Sequence, residues 1–525
     1  MTRHAARRSP GRALALALLA ALAAALAATP ARAASRKING PLAPSSRIAA
    51  IERLSPLTGL PLRPGYQVSP DNATVVFLGE QSTDGVTELY ATSLRDGAPR
   101  KLNAPLPPGG NVIEFAIDPT GERVVYLADQ RADERFELFS VPLAGGEPIP
   151  LNQPLAPGGN VTSFAISPDG GTVVFRADRD VDERYDLFSV PLALGAPETR
   201  LNPRNSTIGA VPPDFALSAD NQRVVFRFDP YEEGRYALFS APLTGGAPAA
   251  DITLGALGAP GGPGAVDFVL SPAGERALYR FSDPATGSLN LAVSTIAGPS
   301  FVVQRLTSFG AGSSVARPGP ADAPPPPPAA DPRPYAFAPN GTEVLFIADA
   351  IPGRYQLFRV TAVGGPGAPS DPQLISGIAS STSDVIDFQL APDGERVVLL
   401  ADLVTDNQYA LISIQRDGST PALIGLPTID SGDVLDYAIS PDGARVVFLA
   451  DYRTDGVTEL LSSPILGQAG PTTLNPPLPP GGSATRFAIA PGGQRVVYSA
   501  TQERADMTEL FSVLIAGGAP VRLND

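Results

Sequence analysis

The sequence predicts an all-β fold, a β-propeller of four-stranded antiparallel blades with nine repeats closed in one ring. Two observations predict it. A motif built on Ser-Pro-Asp-Gly recurs nine times, its proline position falling at Pro70, Pro119, Pro168, Ala219, Pro272, Pro339, Pro392, Pro441 and Pro491, with spacings of 49, 49, 51, 53, 67, 53, 49 and 50 residues. A period of about 50 lies in the propeller range and is too long for leucine-rich or tetratricopeptide units. Within each period, apolar runs separated by turn signals mark four short strands, and four-stranded units repeated about an axis make a propeller.

The unit from Val434 to Asn475 shows each element in order. Four residues before the proline position stands an aromatic in all nine units: Tyr66, Phe115, Phe164, Phe215, Phe268, Tyr335, Phe388, Tyr437 and Phe487. Two residues before it stands a large apolar residue such as Ile117, Leu270 or Ile439. This period-2 alternation predicts a first strand with one buried face. Pro-Asp-Gly then supplies a turn, proline fixing φ and glycine accepting a positive φ. A β-branched run such as Val446-Val447-Phe448 predicts the second strand. A polar Ala-Asp loop leads to a third strand, Glu-Leu-Phe-Ser-Val, whose leucine is present in every copy, as Leu89, Leu138, Leu187, Leu238, Leu291, Leu357, Leu411, Leu460 and Leu510. Pro142, Pro191, Pro242 and Pro464 mark a strand end or bulge there, since proline cannot donate to the ladder. A Gly-Gly turn and a short fourth strand ending Leu-Asn complete the unit.

The run Ser440-Pro441-Asp442-Gly443, followed by Arg445-Val446-Val447-Phe448, Glu459-Leu460 and Leu474-Asn475, resembles the WD40-like repeat of the TolB type, often called PD40. The resemblance covers all nine units, roughly residues 65 to 525. It implies a periplasmic or extracellular propeller that is not an enzyme and that binds a protein or an envelope-glycan partner. Similar propellers precede the hydrolase domain of the prolyl oligopeptidase group. Here the sequence ends with the ninth unit, and no hydrolase domain is expected.

Residues 1–33 read as a signal peptide, with Arg3, Arg7, Arg8 and Arg12, an apolar run from Ala13 to Ala28 and an Ala31-Arg32-Ala33 cleavage site. Residues 34–64 contain RKINGPLAP, an echo of RKLNAPLPP at 100–108 and a candidate ring-closing strand. Residues 309–334 interrupt the period with a polyproline run, read as an inserted loop. As a linker, the same run would instead split the repeats into two smaller rings.

The net charge is −14, and removing the leader's five arginines, Arg3, Arg7, Arg8, Arg12 and Arg32, takes it to −19. Such a surface repels nucleic acid and anionic membrane, and neither is an expected partner. No membrane span is expected in the mature form, and a monomer is expected. There is no cysteine, and the one histidine, His4, lies in the leader. Thiol catalysis, Ser-His-Asp triads and His- or Cys-ligated zinc are therefore excluded from the mature chain.

Two sets of repeated carboxylates remain. In the Ala-Asp loop stand Asp129 with Asp133, Asp402 with Asp406, Asp451 with Asp455, and Asp178, Asp180 and Asp182. The last three, at alternate positions, are a candidate calcium site, and the alternative is a solvated turn. No other cofactor is expected. The second set immediately precedes the first-strand aromatic: Glu114, Asp214, Asp267, Asp387 and Asp436. If that strand is innermost, these residues ring one mouth of the channel and are candidates to bind a basic partner segment or a cation. A carboxylate-dependent lyase or glycosidase acting in the channel is the alternative class. Arginine at the start of the second strand (Arg123, Arg223, Arg276, Arg396, Arg445, Arg495) is expected to bridge to a turn aspartate.

Overall fold

The computed structural model describes residues 65–523, apart from 84, 95–98, 193–196, 204–209, 230–233, 254–263, 299–300, 317–333, 352–353, 363–370, 378–382, 406–407, 430 and 506. The expected leader, the 34–64 segment with its possible closing strand, and the polyproline run lie outside these residues. What is described is nine four-stranded antiparallel sheets arranged in a ring, without helices. Blades one to nine span 66–101, 112–150, 161–200, 215–251, 265–305, 335–374, 385–425, 434–473 and 484–522. Each sheet consists of four strands consecutive in the chain and in chain order.

Blade eight is representative. Its strands are Val434–Ile439, Arg445–Ala450, Glu459–Pro464 and Thr472–Thr473. The proline ends the third strand, paired with Arg445 at the outermost register position. Between the first two strands, the Ser440 hydroxyl donates to Asp442 Oδ1 at 2.5 Å and accepts the Arg445 N–H at 2.9 Å. The residue two places after the proline position has a positive φ in all nine blades, 69° at Gly443, and Asn72 and Asn221 take that role at 57° and 60°. Asparagine is the side chain that best tolerates this region after glycine.

The core consists of interfaces between sheets rather than a single centre. Nine buried clusters join nine pairs of successive blades, including blade nine to blade one through Tyr66, Val75 and Phe77 against Val497, Leu510 and Leu523. That contact closes the ring. Blades five and six also share a cluster, in which Leu278 and Leu291 meet Tyr335 and Phe346, so the split into two smaller rings near 309–334 does not occur. The third-strand leucine is buried in every blade, and the first-strand aromatic in eight, with Phe215 half-buried.

First strands of neighbouring blades contact one another directly. Gln67 Nε2 donates to the Phe115 carbonyl at 3.4 Å and its Oε1 accepts the Ile117 N–H at 3.1 Å, while Gln389 Nε2 donates to the Tyr437 carbonyl at 3.0 Å. The first strand is therefore the inner one, and it lines the hub.

The repeated loop aspartate has a structural task. Asp129 Oδ1 accepts the N–H of Asn111, whose own Oδ1 accepts the Thr87 N–H of the preceding blade at 2.9 Å. The same relay runs through Asp178 and Asn160 to Phe136, through Asp402 and Asp384 to Tyr355, and through Asp451 and Asp433 to Tyr409. It stitches blades two, three, seven and eight each to the one before. Asp129, Asp178 and Asp402 are buried, so the reading of a solvated turn is corrected for them. The arginine reading is corrected as well. Arg123, Arg223, Arg396, Arg445 and Arg495 donate through Nε to Ser140, Ser240, Ser413, Ser462 and Ser512 on the third strand, at 2.7–2.8 Å, and not to turn aspartates.

In blades one, two, three and eight the Leu-Asn ending closes the unit on itself, because the third-strand leucine N–H donates to the asparagine Oδ1, as from Leu460 to Asn475 and from Leu138 to Asn152, both at 2.7 Å. Replacing Asn475 with alanine leaves a buried N–H without an acceptor. The expected loss is about 1–3 kcal/mol, read as a lowered midpoint in thermal or denaturant unfolding.

Candidate functional site

The start of the first strand carries a β-bulge in six blades, immediately before the carboxylate position. In blade eight Val434 pairs with Ala450 and Asp436 with Leu449, leaving Leu435 as the extra residue. Equivalent shifts occur in blades two, three, five, seven and nine. Bulges re-aim the side chains beside them. Here the re-aimed position holds Glu114, Ser163, Asp267, Asp387, Asp436 and Arg486, while blade four carries Asp214 there without a bulge.

The five sequence-predicted carboxylates share this position and differ in their company. Each faces, 13 residues on, a second-strand partner. Opposite Asp214 stands Arg227, whose Nε and Nη2 donate to its two oxygens at 2.8 and 2.7 Å. Opposite Asp267 stands Arg280, which pairs with it through Nε and Nη2, and the Tyr335 hydroxyl of the next blade donates to the same carboxylate at 2.6 Å. In blade three the carboxylate is replaced by Ser163 opposite Arg176. Arg176 donates to the Val211 carbonyl and the Thr162 hydroxyl and lies 3.6 Å from the centre of the Tyr185 ring. Its burial pushes its pKa down to about 10. Blades three to five thus form an arginine-bearing sector. Between blades four and five opens a cleft of about 530 Å³ lined by Arg227, Arg235, Tyr236, Val266, Ser282 and Pro284.

Blades seven and eight differ. Asp387 and Asp436 face Leu400 and Leu449, so neither has an arginine on its own blade at that position. Both are buried, at 0% and 5% exposure. Glu114 is half-buried opposite Leu127. The sequence predicts one uniform acidic mouth, and the structure divides it into a sector where arginine faces the acid across the strand pair and a sector where leucine does. Burial pushes Asp436 up to about 7; the Tyr437 backbone amide and Arg486 of blade nine act against the shift, and Asp387 adds to it. Tyr66, which also feels Arg486 and Asp436, is driven well above the usual phenol range by burial, and its hydroxyl donates to the Val497 carbonyl at 3.4 Å.

The calcium candidates are not brought together. Asp178 accepts the N–H groups of Asn160 and Glu183 at 2.5 and 3.0 Å, Asp180 pairs with Arg179 and Arg200, and Asp182 lies exposed beside Gly158. Among the described residues no three His, Cys, Asp or Glu side chains gather as metal ligands.

The sequence matches no protein-family model and no curated protein. Several solved structures are similar to parts of it. One comes from a study of two prolyl endopeptidases, at 12% identity and a TM-score of 0.42, covering 75% of this chain and 55% of that one. Another is dipeptidyl peptidase 4 of Porphyromonas gingivalis, at 11% identity and a TM-score of 0.48, covering 87% and 59%. A third is a protein described as a TolB from Agrobacterium tumefaciens, at 18% identity and a TM-score of 0.28, covering 47% and 82%. The chain spans 55–59% of the length of the two peptidase structures. The likeness nevertheless corrects the expectation of a non-enzymatic, TolB-like scaffold binding a protein or envelope-glycan partner, because propellers of this fold occur in peptidases. The alternative of a lyase or glycosidase in the channel is set aside with it.

A buried carboxyl with a raised pKa destabilises the native state once it must ionise. Its contribution to stability is complete below the unfolded value near 4 and is lost as pH rises through about 7. Asp436→Asn is therefore expected to raise the unfolding temperature at pH 8, by an amount equivalent to at most about 4 kcal/mol. The gain shrinks as pH falls from 7 toward 4, and a pH series of thermal melts on both proteins checks it.

Proposed function

We propose that this propeller takes up peptides at its hub in the service of peptide hydrolysis. The observation that carries uptake is the placement of the first strands. In all nine sheets the first strand is an edge strand, and no strand pairs with its hub side among the described residues. Edge strands offer main-chain N–H and C=O groups to an extended chain, whatever its side chains. The reaction class is carried over as a proposal from the peptidases named above.

The stretch from 65 to 523 holds neither histidine nor cysteine, so a Ser-His or Cys-His pair cannot be drawn from the described residues. The hydrolytic centre is expected from outside them, in a domain or chain acting with the ring. Assignment of the repeats to the TolB-type family is part of the same proposal, supported by the Ser-Pro-Asp-Gly to Leu-Asn motif. So is export to the periplasm or the medium, supported by the arginine, alanine and Ala-x-Ala pattern of residues 1–33. N-terminal sequencing of the protein recovered from its source is expected to begin at Ala34.

Uptake is tested with unstructured ten-residue peptides and their backbone N-methylated counterparts, with binding to the full chain followed by fluorescence anisotropy and cleavage by mass spectrometry. Binding of the plain peptides with at least tenfold loss on N-methylation is expected. Absence of both binding and cleavage, or equal binding of the methylated peptides, overturns the reading.

A further inference from the structure

We propose that the cleft between blades four and five is a binding site for one carboxylate group, centred on the open edge of the Arg227 guanidinium. The inference rests on the reading of the hub as the peptide-receiving surface, and it names the group of the peptide, its C-terminus or an acidic side chain, that this cleft selects.

Three blades carry an arginine at one position of the second strand, and their surroundings differ. In blade three, Arg176 donates through Nε to the Val211 carbonyl at 2.6 Å and through Nη1 to the Thr162 hydroxyl at 2.7 Å. In blade five, Arg280 donates through Nη1 to the Val315 carbonyl at 3.1 Å. Val211 and Val315 hold equivalent places, because their N–H groups donate to the Tyr185 and Leu289 carbonyls where the third strands of those blades begin. After blade four that place belongs to Ala265, whose N–H donates to the Tyr236 carbonyl at 2.9 Å. Ala265 is paired with Phe281 in the ladder of blade five, and Arg227 makes no bond to it. The cleft of about 530 Å³ opens where this cross-blade contact is missing, and Arg227 and Ala265 both line it.

The guanidinium is held in a fixed orientation. Asp214 accepts its Nε and Nη2 at 2.8 and 2.7 Å, and its Cζ lies 5.0 Å from the centre of the Tyr236 ring. Nη1 meets no acceptor among the described residues, and the side chain is 17% exposed. An arginine with one edge on a carboxylate retains a second edge, formed by Nη1 and Nη2, that matches another carboxylate through two parallel bonds.

The remaining wall suits the same ligand. The Ser282 and Tyr236 hydroxyls have no hydrogen-bond partner among the described residues, and no described carboxylate lines the cleft. In a chain with 53 acidic and 39 basic residues, a wall with two arginines and no acid departs from the average surface. Asp214 balances the charge of Arg227 from outside the wall, so recognition here depends on directed donors more than on net charge. Val266 and Pro284 supply an apolar surface for the carbon chain that bears the carboxylate.

The site is tested on the full chain with N-acetyl-glycyl-leucine and its C-terminal amide, by isothermal titration calorimetry at pH 7 and constant ionic strength. The acid is expected to bind about tenfold more tightly than the amide, as hydrogen bonds to a charged group warrant. In Arg227→Gln the ratio is expected to fall to near one. In Arg131→Gln, which removes an exposed arginine of blade two, it is expected to stay as in the parent. If Arg227→Gln does not fold, Arg227→Lys takes its place, keeping the charge and losing the two-donor edge, and the ratio is expected to fall severalfold. Equal affinity for acid and amide, an unchanged ratio in the Arg227 variant, or the same fall in Arg131→Gln overturns the proposal. A second arm compares decapeptides as free acids with their terminal amides and, with the terminus amidated, one glutamate with one glutamine. Tighter binding of the acid in the first pair assigns the C-terminus, and in the second pair the side chain. Equal binding within both pairs overturns selection by the cleft and leaves peptide uptake standing. If no decapeptide binds although N-acetyl-glycyl-leucine does, the peptide reading of the hub fails and the carboxylate site stands.

Discussion

Every blade of this ring must bury both faces of its sheet against its neighbours, and the remainder of the architecture follows from that requirement. The third-strand leucine meets it in each copy and the first-strand aromatic in eight of nine, and a buried side chain of this size contributes about 1.5–3 kcal/mol. Because the burial is pairwise, stability is distributed over nine similar interfaces rather than stored in one centre. The hydrogen-bond relay through Asp129, Asp178, Asp402 and Asp451 ties four of the blades to the ones before them.

Much of this was legible in the residues. The proline period, the alternation around the aromatic and the invariant leucine gave the strands and their buried faces. The positive-φ turn was legible too, although in blades one and four it depends on Asn72 and Asn221 rather than glycine. The partners of repeated polar residues were harder to foresee, because they are set by tertiary contact. An aspartate in a polar loop looks solvated until the strand start that donates to it is placed beside it. One signal was available, since each of the five arginines at the second-strand start is followed 17 residues later by the serine it reaches, as Arg445 is by Ser462.

The candidate site was legible in outline. The repeated carboxylates were located by position, but their equivalence was not real. Their differences lay 13 residues downstream, where Arg227 and Arg280 face two of them and Leu400 and Leu449 face two others. The bulge that places these side chains had no mark in the sequence, because it inserts a residue into a strand without changing its apolar character. Function was the least legible layer. A repeat specifies a scaffold, and the scaffold is shared by proteins with different chemistry, which is why an expectation taken from one branch of propellers did not hold.

Each sheet is completed by its own four consecutive strands, and among the described residues none is lent across a junction. The ring is therefore modular in the genetic sense, as a segment of about 50 codons corresponds to one whole wedge. Duplication or loss of such a segment adds or removes a wedge without leaving a half-built sheet behind. The same independence makes the position of the chain ends arbitrary with respect to the wheel, so that a circularly permuted gene opened between any two wedges encodes the same set of interfaces.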